Sequence, residues 1–197
     1  MQSRTYKNKT MKKTVLFLLA AVLLVLTAPT TQAQNKKMLT AEEAEELLQK
    51  TLGTWQVKAL LWQPETKNFS EPRGRASFSS APNGIVSEKF EIEQPDGRTE
   101  RVEGTLRYSE IKKRFEFVQL DHKGNSTLLM YGKWNPNFSM ITFRPAKGQK
   151  HIAGKALWQY FFFDDGSFKK VVRKPDTQGN YMIASEYHCL HINTAGL

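Results

Sequence analysis

The chain has 197 residues, 29 lysines and arginines against 19 aspartates and glutamates, a formal net charge of +10 and a single cysteine. One cysteine, Cys189, excludes an intramolecular disulfide, so the fold must rest on its hydrophobic core, and the unpaired thiol is expected to be buried and inert. The basic surplus is not a nucleic-acid signature. Five basic side chains (Arg4, Lys7, Lys9, Lys12 and Lys13) and no acids fall in the first 33 residues, and the remaining charges, about +5 net, are mixed along the chain, without a concentrated basic stripe and interleaved aromatics.

Lys12 and Lys13 precede an unbroken apolar run, Val15 to Leu26, and Thr31-Gln32-Ala33 ends it with small residues. This is the organisation of a secretory signal peptide, residues 1–33 with its core at 11–33 and cleavage near Ala33. The run is well short of the roughly 20 apolar residues that cross a bilayer, so a stable membrane span is not expected. No cysteine follows it for lipid attachment, and both Met1 and Met11 stay open as the start. The chain is therefore expected to be exported, periplasmic or extracellular, with residues 34–197 as a single domain.

Thr40-Ala41-Glu42-Glu43 has the pattern of a capping box, with Leu39 and Ala44 placed for a small hydrophobic staple. Ala44, Leu47, Leu48 and Leu52 recur at helical spacing. Acids crowd the early turns and Lys50 lies late, as the helix dipole favours. Gly53 supplies the stop, which predicts a helix from about Thr40 to Thr51.

Beyond Gly53 the period changes from 3.6 to 2. Val86, Phe90 and Ile92 alternate with Ser87, Lys89, Glu91 and Glu93; Val102, Leu106 and Tyr108 with Arg101, Glu103 and Arg107; Phe115 and Phe117 with Arg114 and Glu116. That is the pattern of antiparallel strands with one buried and one wet face. Turn chemistry separates them at Asn83-Gly84, Asp96-Gly97, Lys123-Gly124-Asn125, Asn135-Pro136-Asn137, Asp165-Gly166 and Gln178-Gly179-Asn180. The reading is all-β: an up-and-down antiparallel β-barrel of about ten strands with one short N-terminal helix. Predicted strands are 54–62, 74–80, 85–94, 98–108, 114–121, 126–134, 138–144, 155–163, 167–174 and 181–192, with longer connections after Gln63 and Pro145. Closure is preferred to a sandwich because short turns favour a meander and closure removes exposed edges.

A helix, then Gly53-Thr54-Trp55, then a meander resembles the calycin superfamily of lipocalin-like barrels. Leu52-Gly53-Thr54-Trp55 with Gly74, Phe90 and the strand Gly104-Thr105-Leu106-Arg107-Tyr108 looks like a secreted bacterial lipocalin-like family of unknown function. The resemblance spans roughly Leu47 to Ile192. It implies that Gly53 turns the chain into the barrel, that Trp55 packs across the closed end, and that a late arginine, here Arg173, lies over the tryptophan. The haem-binding nitrobindins also have glycine-x-tryptophan but follow it with further glycines, where this chain has Gln56-Val57-Lys58; no cofactor is expected.

The last strand is the best candidate for a site. Met182, Ala184, Glu186, His188, Leu190 and Ile192 share one face; Tyr181, Ile183, Ser185, Tyr187, Cys189 and His191 share the other. With the first face inward, Glu186 and His188 would stack inside the barrel and orient a polar ligand head. Trp55, Phe90, Phe117 and Trp134 would line the ligand site. His188 and His191 point to opposite faces, so no metal site is expected. Leu157 to Phe163 is apolar on both faces, so one face must pack on the helix, a partner or a dimer mate.

Three functions follow in order. The first is binding of a small hydrophobic or amphipathic molecule in the barrel. The second is a solid barrel that uses an exposed aromatic strip, Trp158 to Phe162, to bind an envelope protein or a second copy. The third and weakest is an enzyme with Glu186 and His188 as an acid–base pair. No nucleophile elbow, zinc-protease helix, P-loop or dinucleotide fingerprint supports an ordinary hydrolase or nucleotide enzyme.

Overall fold

The computed structural model describes residues 39–82, 84–94, 96–120, 126–147 and 155–192. The expected signal peptide, the Lys123-Gly124-Asn125 turn and the 148–154 part of the long connection lie outside these residues.

The helix α1 (Ala41–Gln49) begins at Thr40, as its capping box requires. Thr40 Oγ1 accepts from the Glu43 N–H at 3.2 Å, and the Glu43 carboxylate accepts from the Thr40 N–H at 2.9 Å. The helix stops two residues before the expected Thr51. The N–H groups of Thr51 and Leu52 reach back only three residues, to the carbonyls of Leu48 and Gln49, and this tighter winding ends the α-helix. Gly53 then takes a φ of +116°, which side-chain-bearing residues rarely adopt, and turns the chain directly into a strand.

Among the described residues eleven strands follow: β1 (Gly53–Gln63), β2 (Asn68–Ser70), β3 (Arg73–Ala81), β4 (Ile85–Glu93), β5 (Thr99–Ser109), β6 (Arg114–Leu120), β7 (Ser126–Asn135), β8 (Met140–Pro145), β9 (Leu157–Phe162), β10 (Phe168–Pro175) and β11 (Tyr181–His191). Ten of them form a closed antiparallel barrel in chain order, and β11 returns to β1 from Trp55↔His191 through Leu61↔Ser185. The short strand β2 was not expected. It and β3 both pair with β1, and the break between them falls at Pro72, which cannot donate a ladder hydrogen bond. The Pro72 carbonyl still accepts from the Ala59 N–H at 3.0 Å.

Alternation assigns the faces. Trp55, Val57, Ala59 and Leu61 of β1 are buried and pair with His191, Cys189, Tyr187 and Ser185 of β11. The odd-numbered face of β11 is therefore the inner one. Rings fill the end of the barrel beside α1: Trp55 meets Phe168 edge-on at 4.9 Å and Phe78 meets Phe168 at 5.2 Å. Ala44, Leu47 and Leu48 of α1 belong to the same core. The Trp55 indole N–H donates to the Thr51 carbonyl at 2.7 Å and ties the first strand to the residues that end the helix. The opposite end, bordered by Gln63, Gln94, Glu100 and Lys174, opens into a cavity.

Candidate functional site

Glu88 and Lys170 interrupt the apolar inward face. On β4, Glu88 lies between Val86 and Phe90 and faces the interior with them; on β10, Lys170 takes the same position two residues after Phe168. Each is only 2 % exposed. Strand order across the ring brings them together. Lys170 Nζ donates to Glu88 Oε1 at 2.5 Å, and the Tyr160 hydroxyl of β9 donates to Glu88 Oε2 at 2.6 Å. Among the described residues no buried side-chain nitrogen or oxygen lacks a partner, so these groups are desolvated but satisfied.

Rings enclose the ammonium. Lys170 Nζ lies 4.5 Å from the centroid of Trp158, 5.0 Å from Phe90, 5.3 Å from Tyr160 and 5.8 Å from Phe117. Ring faces attract a cation most strongly where water is excluded. Burial, with the Glu88 charge beside it, pushes the Tyr160 hydroxyl well above its ordinary value, so it remains a donor. Burial also raises Tyr187. Cys189 is fully buried, and burial and then Glu88 push its thiol up, which keeps it in the unreactive thiol form.

Gly104 makes room for this arrangement. A Cβ there would lie 2.1 Å from Phe117 Cζ and 3.2 Å from Glu88 Oε1. Gly104→Ala must therefore push Phe117 out of its place beside Lys170. The expected loss is about 1–3 kcal/mol, in the range of overpacked cores, read as a lower urea midpoint; Glu103→Ala, on the outer face, should be near neutral.

Above this charged layer the barrel holds a cavity of about 370 Å³. Leu61, Phe90, Val102, Trp158, Val172 and Tyr187 are among its walls, Lys170 lines it, and Gln94, Glu100 and Lys174 stand at the rim. A larger space of about 690 Å³ is bordered by the outward residues Ser77, Ser79, Lys89, Glu103 and Thr105 and also by Glu88, Gly104 and Phe117. The inner cavity is the better candidate because aromatic and aliphatic walls surround it and buried Lys170 lies among them.

The six sequence-chosen site residues separate into three groups. Phe90 lines the cavity, and Phe117 packs on Trp158 at 4.7 Å below it. Trp55 lies at the closed end, as does Trp134, 6.2 Å from Phe162. Glu186 and His188 do meet, at 3.3 Å, but on the outward face, where Lys169 also reaches Glu186 at 3.2 Å. They were expected inside; the pairing of β11 with β1 puts Cys189 and Tyr187 there instead. Neither residue lines the inner cavity or the larger space. Arg173 does not lie over Trp55. It donates to Gln159 at 2.8 Å, beyond a bulge in β10, and His191 packs on the indole instead, at 4.5 Å.

The expected aromatic strip on β9 is also absent from the surface. Trp158, Tyr160 and Phe162 point into the barrel, and outward Phe161 lies under the Lys169 ammonium at 5.5 Å. Among the described residues no three His, Cys, Asp or Glu side chains gather as a metal site, and no helix is long and apolar enough to cross a membrane.

Sequence reasoning missed Glu88, Lys170 and Tyr160. The signal was present: on the observed register, Glu88 has the same parity as Val86 and Phe90, and Lys170 the same parity as Phe168.

The fold has a solved counterpart. Rv2717c from M. tuberculosis aligns over 76 % of this chain and 98 % of its own, with a TM-score of 0.52 and 14 % identity. A point mutant of the fluorescent protein UnaG aligns over 74 % of this chain and 99 % of its own, with a TM-score of 0.41 and 12 % identity. No family model and no curated sequence matches the chain. The ten-stranded barrel fits a calycin-like fold, and at such identities the likeness is one of fold alone.

Proposed function

We propose that this chain is an exported, lipocalin-like binding protein, of the kind represented by the secreted bacterial family it resembles, and that it holds one small amphipathic molecule in the open end of its barrel. The carrying observation is the cavity of about 370 Å³ with aromatic and aliphatic walls and Lys170 at its floor. A barrel evolved only as a solid scaffold has no need of a desolvated lysine–glutamate pair, because apolar residues of similar volume are often equally stable. The closed end, packed with Trp55, Phe78 and Phe168, anchors the fold and leaves the mouth for the ligand.

Native mass spectrometry of the protein purified from exporting cells is expected to show a bound molecule that organic extraction removes. Val102→Trp would fill the mouth. It should abolish the bound mass, a loss of at least about tenfold in affinity if residual binding is measurable, while shifting the urea midpoint little. An unmodified protein that never carries a bound molecule, even when offered lipid and aromatic extracts, would overturn the proposal.

A further inference from the structure

We propose that Lys170 is a covalent ligand site: the mouth cavity takes small aldehydes with unsaturated or aromatic tails, and Lys170 Nζ condenses with their carbonyl carbon to form an iminium. The inference rests on the cavity being a ligand site and names the chemistry of its floor.

Charge balance selects the ligand class. Lys170 and Glu88 form a desolvated pair of zero net charge, each 2 % exposed. A carboxylate ligand brought to this floor would add a second anion beside Glu88 with no new cation, and in a dry site that is costly. A neutral carbonyl adds no charge. Its condensation product carries the same single positive charge as the ammonium it replaces, in the same place. Glu88 remains the counter-ion, and the faces of Trp158, Phe90, Tyr160 and Phe117 remain around the cation.

The proton balance also closes within the site. The Lys170 ammonium passes one proton to Glu88 Oε1 across 2.5 Å. The freed nitrogen lone pair attacks the aldehyde carbon, the C–N bond forms, and the carbonyl π pair moves to oxygen, which takes a proton from nitrogen to give a carbinolamine. Glu88 returns its proton to that hydroxyl, which leaves as water as the nitrogen lone pair closes the C=N bond. Ammonium and aldehyde become iminium and water, with no oxidant or reductant. The Tyr160 hydroxyl holds the other Glu88 oxygen at 2.6 Å and orients the carboxylate for both transfers. The apolar walls keep bulk water from hydrolysing the product.

The size agrees. A volume of about 370 Å³ lies toward the small end of ligand pockets, roughly 300–1,000 Å³, which suits an aldehyde with one ring or a short unsaturated chain rather than a long lipid.

The test incubates the protein with cinnamaldehyde, reduces it with cyanoborohydride and maps the adduct by mass spectrometry. The expected result is one adduct per chain on Lys170, with the mass of the probe less one oxygen, formed on the order of tenfold or more ahead of any surface lysine such as Lys58. Glu88→Gln is expected to slow the adduct roughly a hundredfold, the loss of an acid–base partner; the mapping of the unmodified protein stands whether or not that variant folds. Cinnamyl alcohol, which cannot condense, is the control for binding, read as quenching of Trp158 and Trp62 fluorescence. If the alcohol binds, or a copurified molecule is found, and Lys170 stays unmodified, the iminium is wrong and the binding function stands. Adducts spread evenly over surface lysines also overturn it. If neither probe binds and no molecule copurifies, both readings fall.

Discussion

Lys170→Met alone is expected to destabilise the protein by about 3–5 kcal/mol, the cost of leaving one member of a buried ion pair without its partner. Glu88 would then be desolvated with only the Tyr160 hydroxyl as a donor. The triple substitution Glu88→Leu, Lys170→Met and Tyr160→Phe removes the whole polar layer at nearly constant volume. It should recover most of that loss, because no unsatisfied group is left. Urea unfolding of the two variants beside the original chain gives the comparison. A single Lys170→Met variant within about 1 kcal/mol of the parent would show that water reaches Glu88, contrary to the buried geometry. The triple variant separates stability from function: it should be stable and yet have no reactive amine at the cavity floor.

Trp55→Ala is expected to cost about 3–5 kcal/mol, as other large aromatic truncations in cores do. Trp55 is 2 % exposed and packs on Phe168 and His191. Its truncation also strips the Thr51 carbonyl of the indole donor at 2.7 Å. That bond lies where α1 passes into β1, so hydrogen exchange should show α1 amides losing protection before the barrel strands do. Trp55→Phe keeps most of the packing and loses the hydrogen bond, so about 1 kcal/mol from that bond is expected, with a smaller volume loss added to it. If Trp55→Ala left α1 as protected as in the parent, the helix would be held by its own buried face, Ala44, Leu47 and Leu48, rather than through the tryptophan.

Nearly all of the local structure was legible in the residues. The capping box Thr40-Ala41-Glu42-Glu43 formed both of its hydrogen bonds, and the strands lie within a few residues of their predicted bounds. Such features depend on neighbours a few positions away: a hydroxyl that meets the third N–H of a helix, a side chain that alternates every second residue, a glycine that accepts positive φ. The added strand β2 was missed because it is set by pairing to the far end of β1 and by the Pro72 break, not by its own alternation.

The site was legible only in fragments. Phe90 and Phe117 are read from the sequence as lining the ligand site; both lie against Lys170, but Phe90 lines the cavity and Phe117 does not. Glu186 and His188 were chosen by assuming the wrong inner face for a strand whose two faces look alike. Nothing within Tyr181–His191 decides between them, since each face mixes apolar and polar groups. The decision comes from β1, whose unambiguous face of Trp55, Val57 and Ala59 lies opposite His191, Cys189 and Tyr187 once the barrel closes. Lys170 and Glu88 are 82 residues apart and lie on strands that are not neighbours in the sheet. Each alone looks like a charge at an awkward parity, and only a closed barrel makes them partners across its interior.

The sequence by itself determined the class and order of the elements, the helix start and the stop at Gly53, because these follow from short-range sterics and periodicity; the place of Trp55 at the closed end came from the resemblance. The tertiary structure alone decided which face of β11 is inside, which end of the barrel is open, and that a lysine at the cavity wall is held by a buried glutamate that a tyrosine also reaches. Those outcomes depend on register between distant strands, and the physical reason is ring closure: the β1–β11 pairing sets the inward face for both strands at once.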